Sequence, residues 1–140
     1  MNETSRTFLR LLGALLVLAG GLWHLRLRFD TYQDLPSSIP GAWVVSYGFP
    51  AQAALSCVVV ILLLLVRRPI VWAVAVLVEL GSVLALVLSR QVSIFGWKEP
   101  DWSGDAKIVA LVELAAVLVL AGLLAADFHR LEAEDDLATY

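Results

Sequence analysis

The segments WAVAVLVELGSVLALVLSR, residues 72–90, and AKIVALVELAAVLVLAGLL, residues 106–124, decide the fold of this chain. Each is apolar over a length sufficient for an α-helix to cross the hydrocarbon core of a bilayer. Each also contains one glutamate, Glu79 or Glu113, and the first ends at Arg90. Ionisable side chains are costly in lipid and usually face a protein interior. These segments therefore predict both a membrane protein and the location of a polar site.

The composition points to the same class of protein. Of the 140 residues, 60% are hydrophobic and only 16% are charged, and the mean hydropathy is +0.83. A soluble domain of this size could not bury so much apolar surface. We therefore predict a polytopic α-helical membrane protein with a single domain, residues 1–140. A lone cysteine, Cys57, excludes an intrachain disulfide, and the absence of a basic run argues against nucleic-acid binding.

The remaining apolar segments extend this pattern to four membrane-spanning helices in an antiparallel up-down bundle. Two loops rich in Pro, Ser and Asp and one very short turn, Arg67-Arg68-Pro69, separate them. Pro50 is expected to kink the second helix or delay its start. A cleaved signal peptide is the alternative for the first helix, but the apolar character continues past the small residues at 19–21. The predicted helices cover residues 7–28, 42–66, 70–90 and 106–129, followed by an acidic, frayed tail at 130–140.

The distribution of basic residues gives no clear orientation, because the two ends of the predicted bundle carry equal numbers. Arg67 and Arg68 lie in the shortest loop, where a positive charge is most indicative of the cytoplasmic side. We therefore predict a multi-pass protein of the cell membrane with both termini in the cytoplasm. The two longer loops, with most of the tryptophans, would then lie outside.

Helical geometry relates the embedded charged residues to each other. Glu79 and Arg90 share a helix face but are about 16 Å apart along the axis, too far for a direct ion pair. Glu113, on the antiparallel fourth helix, falls between them in depth, so an Arg90–Glu113 ion pair is predicted. Glu79 has no basic residue at its own depth and must be protonated, hydrogen-bonded to a group such as Ser82, or exposed to water.

Two further polar residues occur in the outer halves of the first two helices. His24 shares a face with Gly13, Gly20 and Gly21, which predicts that it faces a neighbouring helix, since small residues allow close helix approach. The sequence thus predicts an outward-facing polar binding pocket formed by His24, Tyr47, Glu79, Arg90 and Glu113.

A purely structural interpretation competes with this pocket. Arg90 would extend to the lipid headgroups, Glu113 would join two helices, and His24 would lie at the interface. A metal site is not predicted, because His24 and His129 belong to opposite ends of the bundle. For the same reason bis-histidine haem is not expected, and no cofactor or catalytic residue is predicted.

The junction of the third and fourth helices resembles a known pattern. Ser89-Arg90-Gln91-Val92, Phe95-Gly96, Glu99, Trp102 and Glu113, together with His24-Leu25 and Tyr47-Gly48, are similar to a family of small four-helix integral membrane proteins of actinobacteria, largely uncharacterised. Ser93 and Phe95 stand where that family has Gly and Pro. The resemblance implies a four-helix architecture and no particular activity. A fainter similarity to DoxX-like proteins concerns helix number alone.

The sequence is compatible with three functions. The first is a non-enzymatic accessory or binding subunit, because the loops are too short for a catalytic domain. The second is proton-coupled transport by an oligomer, with Glu79 as the titrating group. The third is a redox or quinone-associated subunit that uses His24 and the outer aromatic residues. The expected partners are the lipid bilayer and either a larger membrane complex or further copies of the chain.

Overall fold

A computed structural model describes the backbone of residues 1–99 and 101–138, with side chains up to residue 130. This part of the chain is helical apart from loops and contains no β-strand. The helices are α1 (Glu3–Asp30), α2 (Ala42–Leu65), α3 (Pro69–Gln91) and α4 (Gly104–Ala138). All four are long and apolar enough to cross a membrane. They pack as one bundle, so the predicted fold class is confirmed.

The helix ends follow local chemistry. α1 begins four residues earlier than predicted because Asn2 caps it, its side-chain oxygen accepting the Ser5 amide hydrogen at 2.8 Å. Pro69 occupies the first turn of α3, where its missing N–H costs no hydrogen bond. The Ser103 hydroxyl accepts the Ala106 amide hydrogen at the start of α4. α4 continues to Ala138, so the backbone of much of the predicted tail extends this helix.

Pro50 lies inside α2 and does not delay its start. Proline has no N–H, so the carbonyl of Ser46, one turn earlier, loses its helical donor. The Arg28 side chain replaces that donor, with its Nε 3.4 Å from the Ser46 oxygen. A charged side chain near the end of α1 thus compensates for the proline in α2.

The bundle brings the two termini and the 66–68 turn to one end, here called the terminal end, and the loops 31–41 and 92–103 to the other, the loop end. α1 packs mainly against α2 and α4, and α3 mainly against α4. The contact between α1 and α2 is close at Gly21, where a Cβ would lie only 2.6 Å from Ser56 Cβ. Only glycine permits this approach, as the small-residue face predicted.

The bundle is apolar outside and carries buried polar groups inside. Its outward faces present large apolar side chains such as Leu15, Ile61, Leu77 and Leu118, whereas the buried residues include His24, Glu79, Glu113 and Asp127. Water would favour the opposite distribution. The arrangement suits lipid as the surrounding solvent, because ionisable groups in a bilayer turn toward the protein interior.

Candidate functional site

Four polar residues meet in the interior of the bundle and form what we call the central cluster: His24 of α1, Glu79 and Ser82 of α3, and Glu113 of α4. Glu79 is 1% exposed, Glu113 is fully buried and His24 is 4% exposed. The cluster therefore joins α1 to α3, which lie diagonally across the bundle, through polar side chains.

Glu113 accepts hydrogen bonds from Ser82 and His24. Ser82 Oγ lies 2.6 Å from Glu113 Oε1 and donates to it. His24 Nε2 lies 2.7 Å from the same oxygen, and 3.2 Å from Ser82 Oγ. A histidine with its proton on Nε2 satisfies this geometry. One carboxylate oxygen is thus shared by donors from two helices.

The central cluster also contains buried polar atoms without a hydrogen-bond partner among the described residues. They are both oxygens of Glu79, Oε2 of Glu113 and Nδ1 of His24. Buried polar atoms in proteins are normally paired, and each unpaired one costs on the order of 1–3 kcal/mol. Four such atoms in one place indicate a group of side chains able to take up protons or a small polar ligand.

Gly20 provides space beside the two carboxylates. A Cβ at this position would lie 3.5 Å from Glu113 Cγ and 3.8 Å from Glu79 Oε2. These are ordinary contact distances, so alanine would fit, but it would fill the gap that both glutamates face. The sequence placed Gly20 on the His24 face without revealing that the space lies next to the carboxylates.

The predicted Arg90–Glu113 ion pair is not formed. Arg90 instead turns toward the loop end, where its NH1 donates to the Leu86 carbonyl at 2.6 Å and its Nε to the Asp101 carbonyl at 3.3 Å. Its guanidinium also lies over the Trp102 ring, 4.8 Å from the centroid. The negative end of the helix dipole at the C-terminus of α3 and an aromatic face both attract a cation. These local partners hold Arg90 away from the central cluster.

Tyr47 is not in the central cluster either, since 73% of its surface is exposed on the outside of α2. The inward aromatic residue of that turn is Phe49, whose ring centroid lies 5.1 Å from that of His24. The structure therefore brings together His24, Glu79 and Glu113, and leaves Tyr47 and Arg90 elsewhere. Ser82 joins them, the residue that the sequence had suggested as a partner for Glu79.

A second polar group at the loop end lies outside the helices and was not predicted. The Tyr32 hydroxyl lies 2.8 and 2.9 Å from the two oxygens of Glu99, and Trp97 Nε1 donates to Glu99 at 3.2 Å. Burial and the adjacent Glu99 carboxylate raise the pKa of Tyr32 above its usual value. These residues come from two loops, where no periodic pattern could have indicated their contact.

A third polar group, at the terminal end, was also missed. Asp127 is buried and forms an ion pair with Arg6, while its other oxygen accepts a hydrogen bond from Trp72 Nε1 at 2.9 Å. Arg6 and Asp127 lie at similar depths near this end of the bundle. The comparison of depths that was applied to Glu113 would have suggested this pair as well.

No three His, Cys, Asp or Glu side chains in the described part of the chain are grouped so as to hold a metal ion. Comparison with protein-family models, with curated proteins and with solved structures finds no match. This result neither confirms nor excludes the resemblance to the actinobacterial membrane proteins.

Proposed function

We propose that this chain is a small, non-enzymatic membrane binding subunit whose central cluster binds a proton. The observation that supports the proposal most directly is the burial of Glu79 beside Glu113, with neither of its oxygens hydrogen-bonded to a described residue. A charged carboxylate in such a place costs several kcal/mol, and uptake of a proton removes that cost. The proton is therefore the simplest ligand that this geometry can take.

Loss of that proton would affect helix packing. Glu79 and Glu113 both face Gly20 of α1, so a negative charge on each would repel across the space between α1, α3 and α4. Protonation of one of them favours the packed arrangement. The cluster can thus couple proton binding to the position of α1, and a binding subunit can pass this change to a partner at its outer surface.

The partner in this proposal is a larger membrane complex or a second copy of the chain. The apolar outer faces of the helices provide the contact surface, and the lipid bilayer surrounds them. The proposed location is the cell membrane with both termini cytoplasmic, based on Arg67 and Arg68 in the short turn.

Proton-coupled transport by an oligomer is the second candidate. It is favoured by the unpaired polar atoms of the central cluster, which come from three different helices. Four helices alone leave little room for a conduction path, so several copies would be needed to form one.

Infrared difference spectroscopy of the protein in vesicles tests proton binding directly. The expected result is a carbonyl band of a protonated, buried carboxylic acid that is lost in Glu79→Gln. Glu99→Gln is the matched control, because Glu99 is also buried but both of its oxygens receive hydrogen bonds. The band should remain in that variant. Absence of the band from the folded wild-type protein at every pH would contradict the proposal.

Two further measurements separate the candidates. Proton flux in vesicles under a pH gradient, present in the wild type and lost in Glu79→Gln, would establish transport. The binding subunit would be established if there is no flux and if the oligomeric mass or the partner complex depends on pH. This pH dependence should occur in the wild type and not in Glu79→Gln. Absence of both effects would contradict both candidates.

A further inference from the structure

We infer that a cavity at the terminal end, between α1, α3 and α4, binds the phosphate group of an anionic ligand. The cavity has a volume of about 370 Å³. It is separate from the central cluster, and the inference is independent of the proposed proton site. The charged residues that line it are Glu3, Arg6, Arg10, Arg67, Asp127 and Arg130.

The lining has more positive than negative charge. Four arginines and two acidic residues face the cavity. Asp127 is paired with Arg6, and Glu3 is paired with Arg67 at 3.2 Å. Both lining carboxylates are therefore already used by Arg6 and Arg67, and neither is left for Arg10.

Arg10 is the residue that points most strongly to a ligand. It is only 9% exposed, its Nε is buried without a hydrogen-bond partner, and no hydrogen bond or ion pair joins it to another described residue. A buried, unpaired guanidinium costs several kcal/mol. An anion in the cavity would provide the missing acceptor. The planar donor fork of arginine matches the oxygens of a phosphate group, which it can bind in a bidentate manner.

Side chains inside the cavity are held in position by contacts within the protein, without a ligand. Trp72 donates to Asp127, and Asp127 in turn holds Arg6 against the cavity. A site whose side chains are already positioned loses less entropy on binding. The fixed Trp72–Asp127–Arg6 chain thus orients one arginine beside the unpaired Arg10.

The cavity opens at the terminal end of the bundle. Glu3 and Arg67 lie at its rim, and their side chains are 68% and 65% exposed. Arg10 is two turns into α1, about 10 Å from its start. In a bilayer the phosphate groups of phospholipids lie near the ends of spanning helices, and basic pockets between membrane helices bind such headgroups. The phosphate can come from an anionic lipid or from a soluble phosphate compound.

Binding can be measured with the full-length protein purified in mild detergent without anionic lipid. Phosphatidylglycerol and phosphatidylcholine are the lipid probes, read by native mass spectrometry. Inorganic phosphate is the soluble probe, read by the thermal unfolding midpoint against chloride at equal ionic strength. Arg10→Gln is the test variant. Arg26→Gln is the matched control, because it removes the same charge from an exposed position at the other end of α1.

The expected result is that Arg10→Gln weakens binding of the anionic probe about tenfold or more, whereas Arg26→Gln leaves it unchanged. Without any anion, Arg10→Gln should be at least as stable as the wild type, since it removes an unpaired buried charge. Arg10→Lys, which keeps the charge and loses the fork, should bind with intermediate affinity.

The probes also distinguish the source of the phosphate. Selective binding of phosphatidylglycerol over phosphatidylcholine supports a lipid headgroup, and stabilisation by inorganic phosphate alone supports a soluble compound. Failure of both anionic probes to bind would overturn the inference. Equal weakening by Arg10→Gln and Arg26→Gln would overturn it as well, because the effect would then be one of net charge. Neither result bears on the infrared test of Glu79.

Discussion

Asp127 at the terminal end and Glu79 in the central cluster are both buried carboxylates in membrane-spanning helices, and their surroundings differ completely. One oxygen of Asp127 forms an ion pair with Arg6, and the other accepts a hydrogen bond from Trp72 Nε1. Neither oxygen of Glu79 has a partner among the described residues. The comparison shows that burial alone does not reveal what a carboxylate does. A paired group stabilises the packing of helices, whereas an unpaired group reduces stability and is a candidate for function.

The largest effect is expected when Asp127 loses its counter-ion and becomes an unpaired buried carboxylate like Glu79. Arg6→Leu leaves the buried Asp127 without its counter-ion and should lower the free energy of unfolding by about 3 kcal/mol. Adding Asp127→Asn to this variant should recover a large part of the loss, because the uncompensated charge is removed. Unfolding in mild detergent without added phosphate, for the four proteins of this double-mutant cycle, measures the coupling. Purely additive effects would show that the pair contributes nothing.

The opposite effect is expected when the unpaired carboxylate is removed. Glu79→Met replaces an unpartnered polar group with an apolar one of similar volume and should raise the free energy of unfolding by about 2 kcal/mol. Glu113→Met is the matched control and should lower it, because Ser82 and His24 lose their acceptor. Destabilisation of both variants to the same extent would show that Glu79 has a structural partner and would weaken the comparison with Asp127.

A smaller effect is expected at the loop end, where the Glu99 carboxylate is paired with the Tyr32 hydroxyl outside the spanning helices. Tyr32→Phe should cost about 1.5 kcal/mol, since Glu99 loses its hydroxyl donor. The folded protein holds the Tyr32 proton more tightly than the unfolded chain, because its pKa is raised on folding. Stability contributed by Tyr32 is therefore complete below pH about 10 and decreases as the pH rises further.

The measurement is the unfolding midpoint as a function of pH above neutrality. The decrease above pH about 10 should be steeper in the wild type than in Tyr32→Phe. Tyr47→Phe serves as the control, because Tyr47 is exposed and makes no described hydrogen bond. Parallel pH profiles for the wild type and Tyr32→Phe would disprove the effect.

The smallest effect concerns the ion pair that the sequence predicted. Arg90 and Glu113 have separate partners in the structure, so Arg90→Ala and Glu113→Ala should be additive within about 0.5 kcal/mol. A larger coupling energy in this double-mutant cycle would mean that Arg90 does reach the central cluster. It would also give the cluster a basic partner and so make it more like the paired site at Asp127.

Much of the architecture follows directly from the sequence. Segments of apolar residues separated by Pro- and Asp-rich loops predict four spanning helices, because backbone groups in lipid must be satisfied within each helix. Gly20 and Gly21 on the His24 face predict that His24 points to neighbouring helices, and its bond to Glu113 agrees. Depth also predicts that Glu79 has no ion-pair partner, although it leaves a hydrogen bond to Ser82 open.

Where several groups lie at the same depth, the sequence does not show which of them a given side chain contacts. Arg90 could reach either Glu113 or the carbonyls at the end of its own helix, and depth does not distinguish them. Likewise, Tyr47 and Phe49 lie in the same turn of α2, and only the rotation of that helix decides which of them faces His24. The Tyr32–Glu99 contact depends on how two loops fold over the bundle.

The sequence by itself thus determined the number of helices, their antiparallel order and the presence of carboxylates in the membrane interior. Hydrophobicity and helical periodicity are properties of a single chain segment. The helices can therefore be deduced without knowing which other segments pack against them. The tertiary structure decided that Glu113 bonds to His24 and Ser82, that Glu79 remains unpaired beside Gly20, and that Arg10 faces a cavity. These depend on the rotation and lateral packing of whole helices, because a few ångströms determine which of several side chains at equal depth come within hydrogen-bonding distance.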